Sequence, residues 1–154
     1  MRYKPAMGTL NPARVLTIAG SDSGGGAGVQ ADIKTITALG AYAATALSAV
    51  TVQNTVGVRG IHAVPTDVIA AQIECVLDDI GTDAIKTGML GGVAAVRAVT
   101  DVLKRKASGI PLVVDPVMVA KGGASLLADD AVATLRETLL PLADRKSTRL
   151  NSSH

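Results

Sequence analysis

Strands alternating with helices, in a chain that stays aliphatic throughout, predict an α/β fold with a mostly parallel sheet flanked by helices. Short apolar runs of strand length, such as residues 15–19 and 112–114, end in glycine or polar residues and give way to stripes at the helical period. The apolar set makes up 48% of the 154 residues, yet Phe and Trp are absent and Tyr3 and Tyr42 are the only aromatics. The core must therefore be built from Val, Ile, Leu, Ala and Met. Strand–helix alternation also implies right-handed βαβ units, whose crossovers leave neighbouring strands parallel.

Residues 1–13 form a polar leader with Pro5, Gly8 and Pro12, and Met7 is an alternative start. Residues 15–19 are the first buried strand, closed by Gly20 and followed by a glycine-rich loop over 20–26. From Ala27 the period changes: Val29, Ile33, Ile36 and Leu39 mark a helical stripe, and Gly40 stands where a C-terminal cap belongs. Residues 42–52, rich in Ala, Thr and Val, and residues 56–64, alternating around Gly57 and Gly60, read as strands or extended segments. Pro65 and Thr66 open a helix with Asp67 in its first turn, where the helix dipole favours an acid. Its stripe is Ile69, Ile73, Val76 and Ile80, and Cys75, just off that stripe, reads as structural. After a brief strand over 84–87 and a loop over 88–92, Val93, Val96, Val99 and Leu103 mark the next helix. Its basic end, Lys104 to Lys106, suits a helix C-terminus and reads as solvated rather than as a binding patch. Residues 112–114 are a strand ending at Asp115-Pro116, and beyond the loop over 117–125 a last stripe falls on Val132, Leu135 and Leu139. The alternation stops there, where another strand is due.

Composition narrows the function classes. The formal charge of +2 suggests nucleic acid, but Asp144–His154 carries Arg145, Lys146 and Arg149 against one acid, which accounts for all of it. Residues 1–143 hold 12 basic and 12 acidic side chains. With no Phe or Trp, a base-stacking platform is not expected either. Residues 144–154 also lack periodicity, and they are what a common short-read sequencing adapter encodes, codon for codon. They are expected to be a non-native tail, the alternative being a solvated terminus. A single cysteine makes no internal disulfide or Cys-rich metal site. There is no run of 18 apolar residues and no signal-peptide pattern, so the cytoplasm and no membrane partner are expected.

Parallel sheets bind ligands at the carboxyl ends of their strands, and those ends carry Gly20-Ser21-Asp22, Gln53-Asn54, Lys86-Thr87-Gly88 and Asp115-Pro116. Gly26-Ala27-Gly28-Val29-Gln30-Ala31 fits the dinucleotide pattern, but the acid it requires about 20 residues on is missing, because no Asp or Glu lies between Asp32 and Asp67. A Walker A loop fails because no Lys follows Gly25. Two readings of the glycine loop remain open. One is close backbone approach to a small ligand or phosphate at a helix N-terminus; the other is a tight strand-to-helix turn.

Four segments occur in one order: VLTIAGSDSGGGAGVQADIKT from Val15, QNTVG from Gln53, KTGML from Lys86 and DPVMVAK from Asp115. Over residues 14–143 they closely resemble the hydroxymethylpyrimidine/phosphomethylpyrimidine kinases of thiamine biosynthesis, members of the ribokinase-like superfamily. The resemblance implies two successive phosphorylations dependent on ATP and Mg2+, first of the pyrimidine alcohol and then of its monophosphate. Gln53 matches the glutamine that reads the aminopyrimidine, and its carboxamide offers a donor beside an acceptor; an unpaired amide at a strand end is the alternative. Asp32 matches an acidic pocket residue that would accept a hydrogen bond from the substrate, or else is a favourable charge near a helix N-terminus. Gly20 would let the backbone approach the ring, and Met89 and Val117 would supply apolar walls; from pattern alone the two apolar residues read as core. Asp115 would orient phosphate or magnesium-bound water. Lys121 would neutralise phosphate charge, or is a solvated loop lysine, and Gly122 stands where the family often has serine.

The domain reading is therefore a leader over 1–13, the N-terminal part of a ribokinase-like kinase domain over 14–143, and the tail. The resemblance places the magnesium-associated acid, a Gly-Thr-Gly-Cys anion-hole loop and most of the ATP pocket in the family's later half, which these residues do not match. The chain is expected to be truncated on its C-terminal side and inactive alone, with a homodimeric full-length protein. Pyridoxal kinase, which shares the fold, is the alternative within the enzyme class, and a non-catalytic pyrimidine-binding module is the alternative outside it.

Overall fold

The computed structural model describes residues 12–117 and 129–146. The elements run β1 (Arg14–Ala19), α1 (Gly28–Ala38), β2 (Tyr42–Leu47), β3 (Ala49–Gln53), β4 (Val58–Ala63), α2 (Thr66–Asp79) and β5 (Ala84–Thr87). They continue with α3 (Val93–Lys106), β6 (Leu112–Val114), α4 (Asp129–Thr134) and β7 (Arg145–Lys146). Between α4 and β7 the helix widens into a π turn at Leu135–Leu139 and tightens into a 3-10 turn at Leu140–Leu142.

Five strands form one parallel sheet in the order β2-β1-β5-β6-β7. The chain leaves β1 in one direction to reach β2 and is on the other side of β1 when it returns as β5, so the order reverses at β1. Right-handed crossovers then put α1 on one face of the sheet and α2 and α3 on the other. Leu16, Ile18, Ile69, Ile73, Ile85, Val96, Val99 and Leu139 are almost wholly buried in the main core. Each such side chain contributes about 1.5–3 kcal/mol by leaving water.

Most sequence expectations hold, and the exceptions have physical reasons. Residues 42–52 are two strands, because the chain breaks at Ser48 and β3 leaves the main sheet to pair antiparallel with β4. On α1 only Val29 is buried, while Ile33 is 38% exposed and Leu39, which lies past the end of the helix at its C-cap, 81%. Cys75 is exposed on α2 rather than part of the core. The basic end of α3 is ion-paired: Arg105 meets Glu74 at 2.8 Å and Lys106 meets Asp78 at 2.7 Å, both on α2. Arg145 and Lys146, read from sequence as tail, occupy the strand position beside β6 that the alternation leaves open. Backbone alone makes this ladder, and Asp144 begins it by donating its N–H to Leu112 O at 3.0 Å while its carboxylate accepts from Leu112 N at 2.8 Å. Among the described residues no helix is long and apolar enough to cross a membrane.

Candidate functional site

A cleft of about 360 Å³ opens at the carboxyl ends of β1, β5 and β6, beside the strand at which the sheet order reverses. Open parallel sheets bind ligands at this position, since diverging connections leave a crevice there. The β3–β4 hairpin contributes a further wall through Gln53, Asn54, Thr55, Gly57 and Val58.

The glycine loop is organised by Asp22, a residue the sequence reading did not single out. Asp22 is 5% exposed, and its carboxylate accepts three backbone N–H bonds, from Gly24 at 2.8 Å, Gly26 at 2.9 Å and Ala27 at 2.8 Å. An internal carboxylate thus occupies three amides of the glycine loop, just before α1, that an external phosphate would otherwise use. This favours the tight-turn reading of the loop. Gly28 completes the turn with φ of 57°, and a Cβ there would lie 2.4 Å from Gly20 O. The same oxygen accepts from Val29 N at 3.0 Å, which ties the end of β1 to the first turn of α1.

Two serines seat the hairpin on this loop. Ser21 Oγ accepts from Thr51 N at 3.1 Å, and Ser21 O accepts from Thr51 Oγ1 at 2.8 Å. Ser23 Oγ accepts from Gln53 N at 2.8 Å and donates to Gln53 O at 2.5 Å, so one hydroxyl fixes both backbone groups of Gln53. The Gln53 carboxamide itself has no hydrogen-bond partner among the described residues, and it lines the cleft. Asn54 Oδ1 closes the hairpin turn by accepting from Val56 N and Gly57 N at 3.0 and 3.2 Å. Sequence offered no signal for the serine contacts, which span 30 residues.

The structure brings together Gly20, Gln53, Met89, Val117 and Asp115, all of which line the cleft. Met89 is held by its carbonyl, which accepts from Gly20 N at 3.0 Å and Ser48 Oγ at 2.6 Å. Asp115 is 8% exposed at the end of β6, anchored by its N–H on Thr87 O at 2.9 Å. Asp32 is placed differently from the sequence expectation. It does not line the cleft; its carboxylate accepts from Thr17 Oγ1 at 2.6 Å and pairs with Lys86 Nζ at 2.8 Å. Lys86 is the residue of this group that reaches the cleft. The reason is register: β1 and β5 pair Thr17 with Lys86, so both side chains rise on the α1 face and meet Asp32. Lys121 lies outside the described residues, as does Gly122.

The chain matches the family described as phosphomethylpyrimidine kinase over residues 22–145. It is 51% identical over 154 residues to the hydroxymethylpyrimidine/phosphomethylpyrimidine kinase of Mycobacterium tuberculosis, covering 99% of this chain and 56% of that protein. Among solved structures, the phosphomethylpyrimidine kinase of Clostridium difficile 630 superposes with a TM-score of 0.82 at 42% identity, covering 87% of this chain and 58% of that one. An ADP complex of Bacillus subtilis pyridoxal kinase gives a TM-score of 0.77 at 40% identity, covering 88% and 51%. The chain spans about half the length of the curated relatives it matches. The fold is the ribokinase-like α/β arrangement of these neighbours. Matched from its glycine loop to the edge of its last strand, the chain belongs to the phosphomethylpyrimidine kinase family.

Proposed function

We propose that these residues form the ring-binding part of a kinase that uses ATP to phosphorylate 4-amino-5-hydroxymethyl-2-methylpyrimidine and then its monophosphate. The observation that carries this reading is the unengaged Gln53 carboxamide in the cleft, its backbone clamped by Ser23 and the apolar side chains of Met89 and Val117 lining the same space. A carboxamide presents N–H and C=O side by side, complementary to a ring nitrogen next to an exocyclic amine. Fixing its backbone in advance lowers part of the ordering cost of binding. Phosphoryl transfer then depends chiefly on positioning and electrostatic stabilisation.

The reaction also implies Mg2+, which neutralises phosphate charge when bound. Among the described residues no three His, Cys, Asp or Glu side chains gather as a metal cluster. Magnesium in kinases needs little more than one or two carboxylates, because nucleotide phosphates and water fill the remaining positions. Asp115, buried at the end of β6 and lining the cleft, fits that role. The complete protein is proposed to be a cytoplasmic homodimer.

The likeness to a pyridoxal kinase favours a second reading, in which the cleft takes pyridoxal. Calorimetry of the purified protein with the pyrimidine alcohol and with pyridoxal separates the two. Pyrimidine binding that is lost in Gln53→Ala is expected; binding of pyridoxal alone overturns the proposal. Phosphorylation assays of the complete kinase with ATP distinguish an enzyme from a module that only binds.

A further inference from the structure

The ring-binding reading leaves Asp32 and Lys86 without a purpose. Their side chains are 19% and 25% exposed, and Lys86 Nζ lies 3.0 and 2.8 Å from the two Asp32 oxygens. Asp32 also accepts the Thr17 hydroxyl, so it is engaged from two strands at once. Moving two charges this far out of water costs desolvation, and apolar residues of similar size would stabilise the sheet as well or better. Stability alone therefore does not account for the pair. An ammonium has three N–H donors, two of them directed at Asp32, and Lys86 has no other acceptor among the described residues.

Charge then decides what the pair can do. A lone lysine in the cleft would draw anions, and a lone aspartate beneath it would repel them. Paired, they sum to zero and still offer one donor. We propose that Asp32 and Lys86 are a charge-neutral pair that sets which ligands the cleft accepts. Lys86 donates its remaining N–H to an uncharged acceptor of the ligand, a ring nitrogen or the hydroxymethyl oxygen. Asp32 is a positioning residue: it never touches the ligand, but it holds the ammonium and cancels its charge. One cleft can then take a neutral alcohol and its dianionic phosphate ester on comparable terms. This proposal rests on the pyrimidine reading above.

The test is the ratio of association constants for the monophosphate and the alcohol, measured by calorimetry at low ionic strength. Asp32→Asn leaves a net positive charge, and the ratio is expected to rise about fivefold. Lys86→Met leaves a net negative charge, and the ratio is expected to fall by a similar factor. The double variant returns the ratio close to that of the wild type while binding the alcohol about tenfold more weakly, for want of the donor. Asp22 and Asp115 are unchanged throughout, so the ratio reports the pair alone. A purely structural role weakens both ligands together, and an unchanged ratio, or two single variants shifting it the same way, overturns the proposal. If Asp32→Asn does not fold, as judged by circular dichroism, the direction of the shift in Lys86→Met decides. Wild-type protein that binds neither ligand overturns the pyrimidine reading itself, whereas normal wild-type binding with an invariant ratio overturns only the pair.

Discussion

Replacing Gly28 with alanine probes the junction on which the site is built. Gly28 has φ of 57°, and a Cβ there would sit 2.4 Å from Gly20 O, 3.2 Å from Asp22 N and 3.2 Å from the Ser21 carbonyl carbon. The left-handed conformation costs an L-residue about 1–2 kcal/mol. The neighbours are backbone and cannot rotate away, so relief requires the end of β1 to move from α1, an overpacking cost of about 1–3 kcal/mol. Gly28→Ala should thus lose about 2–5 kcal/mol, a large share of the 5–15 typical of a domain. Gly40 is the control. Its φ is 80° but a Cβ there meets nothing within 4 Å, so Gly40→Ala should lose only the conformational part, about 1–2 kcal/mol. Urea denaturation reads both as shifts in midpoint at constant slope. Because the movement displaces Gly20 and Ser21, both of which line the cleft, Gly28→Ala should also weaken pyrimidine binding, and Gly40→Ala should not. Equal losses in the two variants would refute the argument from close approach.

Removing the Asp22 carboxylate in Asp22→Ala strips three loop amides of their acceptor, and a loss of about 2–3 kcal/mol is expected by denaturation, with weaker ligand binding. The Arg14 guanidinium hydrogen-bonds Asp83 and holds its carboxyl at about 2, below the ordinary value near 3.9. The stabilisation from this depressed group is complete above about pH 4 and disappears as pH falls through about 2. Both side chains are substantially exposed, so screening keeps it below about 1 kcal/mol, and Asp83→Asn should flatten the thermal midpoint against pH in that window by this amount. Thr87 is wholly buried and its hydroxyl has no partner among the described residues, so Thr87→Val should raise stability by about 1 kcal/mol in the same denaturation assay.

The pattern of the sequence carried the alternation of elements and the strand ends where polar groups collect, because burial imposes a period that side chains record locally. Leu112–Val114 and the α3 stripe of Val96, Val99 and Leu103 are legible in this way. The site was legible in part. Gly20, Gln53 and Met89 stand on three separate segments and Asp115 with Val117 on a fourth; their places near strand ends and their common order in a family suggested one cleft, and the sheet places them there. The part not read was long-range and polar. Ser23 on Gln53 and Lys86 on Asp32 are hydrogen bonds across 30 and 54 residues, and a hydrophobic period says nothing of either.

By itself the sequence determined an aliphatic α/β chain whose formal charge belongs to its last eleven residues and whose ligand side is the carboxyl edge of its strands. Its composition and spacing suffice for this, because they reflect which faces leave water. Tertiary structure alone decided that Asp32 serves Lys86 rather than lining the cleft, that Asp22 occupies the amides of the glycine loop, and that Arg145 and Lys146 extend the sheet. Each of these depends on strand register and backbone pairing, which fix neighbours across space without leaving a repeat along the chain.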